Sequence, residues 1–352
     1  MERETSPPLD RAGRLSRESG RTKQPAGRRW AAVAGGSEPA IAPARGGLTA
    51  CKDEAVSPPP PIDEMVPADA NASRINAVLA APGIEVVGFE GSAYDLTAPL
   101  KPKDGQELRG PVLFDFARRV AFGMRLRNEV EGLTLRRVSV RSCTRACLQL
   151  GHHTTVIGGT YSDGGWQGIV GNFERRSAHV VLRDVELTAN GWDPAAPGSG
   201  AGGLKVFLTG PKQGAEPGSG VVVDGGRSHH NEGNGYWFDH DCAGDVVRGA
   251  EADHCSRKGV FEEVGAGPFL LEDSFVHDNG HAGFQTTNTP RGVVRSNRFA
   301  RNGTGVAIAL LTIDRDDHGG PFEDWVVEDN DLGGDRIRIT APAEAVTRRR
   351  NA

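Results

Sequence analysis

From residue 130 onward, apolar and polar positions alternate in short runs, and the runs return at a nearly fixed interval. "VVVDGGRSHHNEGNGYWFDHD" (221–241), "DVVRGAEADHCSRKGVFEEV" (245–264), "FLLEDSFVHDNGHAGFQTTN" (269–288) and "GVVRSNRFARNGTGVAIAL" (292–310) each read apolar pair, short strand, polar turn, glycine, second strand. Alternation with a period of two is the mark of a strand, and a shared plan repeated at a fixed interval is the mark of stacked units. Anchoring on Gly235, Gly259, Gly283 and Gly305 gives spacings of 24, 24 and 22 residues. Units at 133–151, 155–172 and 179–210 fit the same plan, with an insertion near 193–202, and 324–339 supplies a last one.

Ahead of the repeats, Ile75, Val78 and Leu79 lie at helical spacing between a capping Asn71 and the Pro82-Gly83 stop, which predicts a short helix over 71–81. The stretches 84–91, 92–100 and 106–110 read as short strands separated by turn residues. Residues 1–62 mix arginine, proline, serine and glycine, end in "SPPPPI", and offer little for a core, so they read as a disordered leader.

A repeat of this length suits either a leucine-rich repeat or a β-solenoid. The second halves are strand-like and glycine-rich and lack the leucine and asparagine signature, which selects the solenoid. The units "EDSFVHDNGHAGFQ" and "RSNRFARNGTGVAI" resemble the right-handed parallel β-helix repeat of pectate-lyase-like proteins, and the resemblance covers about 84–340. It implies an all-β, single-stranded right-handed parallel β-helix of about 8 to 10 rungs with a short N-terminal capping helix. The expected organisation is a leader (1–62), cap helix and first rung (63–110), β-helix (111–340) and basic C-terminal tail (341–352). It also implies a polysaccharide partner and a secreted or cell-surface location, although "GRRWAAVAGG" (27–36) has too short an apolar run for a signal peptide.

Composition adds limits. Glycine, 48 of 352 residues, is about twice its usual share and suits a turn-rich fold. A net charge of −5, with both signs interspersed and a basic run only at 348–350, argues against nucleic-acid binding. No apolar run approaches the roughly 18 residues of a membrane span. Five cysteines without metal-ligand spacing read as buried, reduced thiols.

Stacking turns alignment into geometry, because equivalent positions on successive rungs lie about 4.8 Å apart. Tyr236, Phe238, Val260, Phe284 and Val306 form the expected inward row. The alternate row, Lys205, Trp237, Phe261 and Gln285, followed two residues on by Phe207, Asp239, Glu263 and Thr287, is expected to face solvent. Asp239 and Glu263 then stack as a carboxylate pair about 5 Å apart, the separation of a retaining glycoside hydrolase, in which one acid protonates and the other attacks. The same acids could instead be solvated, or hold calcium together with Asp241. No cofactor is otherwise required and no metal is assigned. Trp237 and Phe261 would stack sugar rings, and Lys205 would neutralise a uronate carboxylate or act as a desolvated base. His229, Asp253 and His277 form a second column, in the turn before the second strand. Glu262 falls on the inward row, which makes it a rim residue or signals a register error of one. The signatures of polygalacturonases, alginate epimerases and pectate lyases are missing, so the reading is a carbohydrate-active enzyme, first a glycoside hydrolase, alternatively a lyase or epimerase. The rival is a noncatalytic glycan-binding or structural β-helix.

Overall fold

In the computed structural model, residues 60–126, 130–171, 175–196, 200–211, 213–313 and 321–352 are described, and all belong to one unit, Pro58–Ala352. The leader expected over 1–62 therefore lies almost wholly outside the described residues. Each turn of the chain lays down two short strands and one further strand, as in Val221–Asp224, Arg227–His229 and Asn234–Asp239. The short strands join a 19-stranded sheet and the third strands a nine-stranded one, with every pairing in both sheets parallel between successive turns. The result is a β-solenoid of about 11 turns, slightly longer than the repeat count suggested. The helix, Ala72–Ala80, buries Ile75 and Leu79, and Asn71 caps it by accepting the Arg74 N–H.

Stacking places like residues over like. Val223, Val247, Leu271, Val294 and Val327 form one continuous interior column. Phe238, Phe269, Phe284 and Trp325 form a chain of neighbouring rings with centroids 5.2 to 6.0 Å apart. Each turn bends where a residue takes a positive φ. Asp184, Gly249, Asp273, Ser296 and Asp329 do so after the first short strand, and His230, His254, Asp278 and Arg301 after the second. Glycine, aspartate and histidine, which fill most of these positions, adopt this conformation more readily than other residues, which is why the bends read as polar turns in the sequence.

The anchoring glycine has a packing reason. Asn190, Asn231, Asn279 and Asn302 are buried, and their side chains tie successive turns together through bonds such as Asn190 Nδ2 to Asn231 Oδ1 (2.9 Å) and Asn279 Nδ2 to Asn302 Oδ1 (3.2 Å). A Cβ on Gly259 would come within 2.7 Å of Asn279 Nδ2, and one on Gly283 within 3.0 Å of Asn302 Nδ2. The turn asparagines, three of them in "NG" pairs, are thus an interior amide ladder facing a column that has no room for side chains.

Two expectations change. Phe284 pairs with Ile308, so Ala307, rather than the residue at Gly305, takes the place of Gly283. Val306 consequently leaves the inward row and packs with Ala282, Ala309 and Leu311 in a separate small cluster. Within 341–352, the stretch Val346–Arg349 forms a strand that pairs with Asp324–Glu328, closing the last described turn. Cys143, Cys147, Cys242 and Cys255 are buried free thiols, and Cys51 lies outside the described residues.

Candidate functional site

The outer face of the nine-stranded sheet carries the residues singled out above. Lys205, Trp237, Phe261 and Gln285 are paired in that order on four successive turns, and Phe207, Asp239, Glu263 and Thr287 on the same four. The carboxylate pair therefore does stack one turn apart. What the sequence did not reveal is that Lys205 reaches along its own turn and into the next, placing Nζ 3.0 Å from Asp239 Oδ2. Burial lowers the Lys205 pKa, while the charges of Asp239 and Glu263 oppose that fall. Lys258, which sits just ahead of the Gly259 anchor, is drawn down further, to about 8, by burial against the opposing charge of Glu263. Two partly desolvated ammonium groups and two carboxylates thus share one end of this face.

Trp237 and Phe261 are not exposed platforms. Their side chains retain little accessibility, at 2% and 5% for the whole residues. The rings stack on each other at 5.5 Å, Lys205 Nζ lies 3.2 Å from the Trp237 centroid, and Lys258 Nζ lies 3.8 Å from that of Phe261. An ammonium over a ring face is attractive in its own right, so the cations occupy the surfaces that a sugar would have used. Gln285 is half-buried and turns toward Thr287, with Nε2 3.2 Å from its hydroxyl. Asp241 is claimed by Arg176, which also donates to its backbone carbonyl at 3.0 Å.

Glu262 is neither at the rim nor out of register. It pairs with Phe238 and Thr286 on the inward row and is 1% exposed. Its Oε1 accepts a long bond from Thr289 Oγ1 (3.4 Å), and its Oε2 has no hydrogen-bond partner. Burial, together with the nearby Asp245, pushes its pKa well up. Asp245, also buried, accepts from the Val221 N–H (2.7 Å) and Thr209 Oγ1 (2.5 Å), and burial raises it to about 7. This interior acid pair was invisible to alternation arguments, since an inward acid reads as a misplaced one.

On the 19-stranded sheet the column His229, Asp253 and His277 forms in the predicted register. Its members turn to different partners. His229 Nε2 lies 3.1 Å from Glu186 Oε1, Asp253 is held by Arg227 at 2.7 and 2.8 Å, and His277 meets Glu251 and Asp278. Glu251 was missed, although it lies two residues before Asp253 on one strand and so shares its outward face.

No family model and no curated protein matches this chain. Solved structures do. The A-module of mannuronan C-5 epimerase AlgE4 from Azotobacter vinelandii superposes with a TM-score of 0.52 at 16% identity, covering 82% of this chain and 100% of that one. The A-module of AlgE6 from the same organism gives 0.52 at 15% identity, covering 82% and 88%. The chain is a parallel β-helix protein. XylC, in complex with xylose, superposes at 0.51 with 13% identity, covering 66% of this chain and 43% of its own. At these identities the likeness is one of fold. Among the described residues no helix is long and apolar enough to cross a membrane.

Proposed function

We propose that this β-helix is a carbohydrate-active enzyme that acts on a polysaccharide through acid–base chemistry on the outer face of the nine-stranded sheet. The observation that carries the reading is the cluster of Lys205, ion-paired to Asp239 at 3.0 Å, beside Glu263 one turn on. A retaining glycoside hydrolase needs one protonated carboxylic acid beside one carboxylate. Here an ammonium sits against one member of the pair, which suits proton abstraction from a uronate better. In that chemistry Lys205 offsets the negative charge that builds on the substrate carboxylate as the carbon next to it loses its proton. Asp239 and Glu263 take and return protons, and Lys258, with a pKa of about 8, adds a second cation. The epimerase named among the structural neighbours works on such a polymer, which makes lyase or epimerase the first reading and hydrolase the second.

The deciding experiment incubates the protein with uronate-containing and neutral polysaccharides. It follows unsaturated-uronate absorbance, reducing ends and sugar configuration by NMR. Absorbance or inversion on a polyuronate supports the first reading. Reducing ends without absorbance, on a neutral glycan, support the hydrolase. Retention of glycans with no turnover by any of the three measures would sink the enzymatic proposal in favour of a binding module.

A further inference from the structure

Glu251–Asp253 and Phe275–His277 are neighbouring short strands in the 19-stranded sheet, away from the strands that carry Lys205, Asp239 and Glu263. Alternation sends Ala252 inward, where it is 1% exposed, and Glu251 and Asp253 outward on one face. Register sets His277 one turn beyond Asp253. One donor atom from each of Glu251, Asp253 and His277 then lies within 4.8 Å of the other two.

The imidazole of His277 faces a carboxylate with each nitrogen. Nδ1 is 2.6 Å from Asp278 Oδ2, and Nε2 is 3.1 Å from Glu251 Oε1. Asp278 is in turn held by Arg301, whose Nε lies 2.8 Å from Oδ1 and whose Nη2 lies 2.5 Å from Oδ2. The Asp278 carboxylate, paired with Arg301, accepts hydrogen bonds, so His277 Nδ1 is the donor to it. Nε2 faces the second carboxylate, Glu251 Oε1, which also lies 3.5 Å from Arg227 Nε. A histidine whose far nitrogen is held by a carboxylate is also the usual posture of a metal ligand, since that bond fixes the tautomer and orients the ring. Asp253, with a side chain 0% exposed, completes the set; Arg227 Nη2 and His254 Nδ1 (2.5 Å) both meet its Oδ2, whereas Oδ1 accepts from Arg227 Nε and keeps a further lone pair.

We propose that Glu251, Asp253 and His277 bind one divalent cation of the borderline class, zinc or manganese, which clamps two adjacent turns of the solenoid. One imidazole nitrogen and two carboxylates suit these ions. Calcium, which takes six to eight oxygens, does not fit the set. Asp278 is the positioning residue behind His277. His229 stands outside the site because it turns to Glu186, and His254 lies beyond Asp253, with its ring stacked on His230 at 4.9 Å.

The full chain, stripped with a chelator and dialysed, is titrated with zinc, manganese and calcium by calorimetry and by thermal melting. The expected result is one equivalent of zinc or manganese bound, a higher melting temperature by mass action, and little response to calcium. Glu251→Gln and His277→Ala should each weaken binding at least about tenfold, and Asp278→Asn, which keeps all three ligands, about 10- to 100-fold. Cobalt in place of zinc should give visible ligand-field bands that His277→Ala abolishes. Failure to take up zinc or manganese, equal affinity in the Glu251→Gln and His277→Ala variants, or calcium binding as tightly as zinc each overturns the proposal. Circular dichroism checks the fold of every variant. Should His277→Ala not fold, Glu251→Gln decides, because that carboxylate is partly exposed and its loss leaves the interior untouched.

Discussion

Asp245→Asn tests the interior acid pair through the pH dependence of stability. Asp245 is fully enclosed, and burial raises its pKa from 3.8 to about 7. The unfolded chain ionises this group near pH 4, while the folded chain holds the proton until about pH 7. Across that window the folded state binds more protons, so the group's contribution to stability falls as pH rises and levels off above pH 7. At 1.36 kcal/mol per unit, a shift of about 3 units amounts to about 4 kcal/mol lost between pH 4 and pH 7. Asparagine is isosteric, can still accept from the Val221 N–H, and has no proton to lose. The variant should match the wild type near pH 4 and exceed it by up to about 4 kcal/mol at pH 7, less any cost of rearranging the bond to Thr209. The assay is urea unfolding at closely spaced pH values, read as the difference between wild type and variant. That subtraction largely cancels the opposite trend of paired carboxylates such as Asp224 and Asp278, whose lowered pKa values stabilise the fold above their titration range. A difference that stays level from pH 4 to pH 8 would refute the claim that Asp245 is buried with its proton.

Three further outcomes are expected. Trp237→Ala should destabilise the fold by about 3 to 5 kcal/mol, seen as a lower urea midpoint, because the ring is packed between Lys205 and Phe261; unchanged stability with weakened glycan binding would restore the exposed-platform view. Glu263→Gln and Asp239→Asn should each reduce turnover at least about 100-fold on whichever polysaccharide proves active and combine non-additively, with circular dichroism unchanged; full activity in both would move the site elsewhere. Asn231→Ala removes the acceptor of both the Asn190 N–H and its side-chain amide, leaving buried donors unpaired, and should cost about 2 kcal/mol or more in the same denaturation assay.

The repeat was legible because a solenoid converts sequence period into spatial neighbourhood. Once Gly235, Gly259 and Gly283 are aligned, the pairings of Trp237 with Phe261 and Asp239 with Glu263 follow without any long-range information. The helix was equally local, since its cap and its apolar spacing sit within a dozen residues. The alignment failed by two residues at Val306, where the glycine that served as anchor is a turn residue with a positive φ and the interior position belongs to Ala307.

Period and alternation fix which face a side chain leaves from, but they do not fix how far it reaches or what else arrives there. Whether an outward aromatic meets water depends on long side chains beside it, and Lys205 from the turn before and Lys258 from the same turn fold over Trp237 and Phe261 because a ring face attracts an ammonium. Whether an inward acid is an error depends on interior partners, and Glu262 is tolerated beside Asp245 because burial keeps a proton on such groups instead of forcing them out. The sequence by itself determined the solenoid, the register of the turns around Gly235, Gly259 and Gly283, and the two candidate columns, because these depend only on repeated spacing. The tertiary structure alone decided the Lys205–Asp239 ion pair, the covering of the rings and the meeting of Glu251 with His277, because each depends on side-chain direction, which neither the spacing of residues along the chain nor the roughly 5 Å spacing of turns in space prescribes.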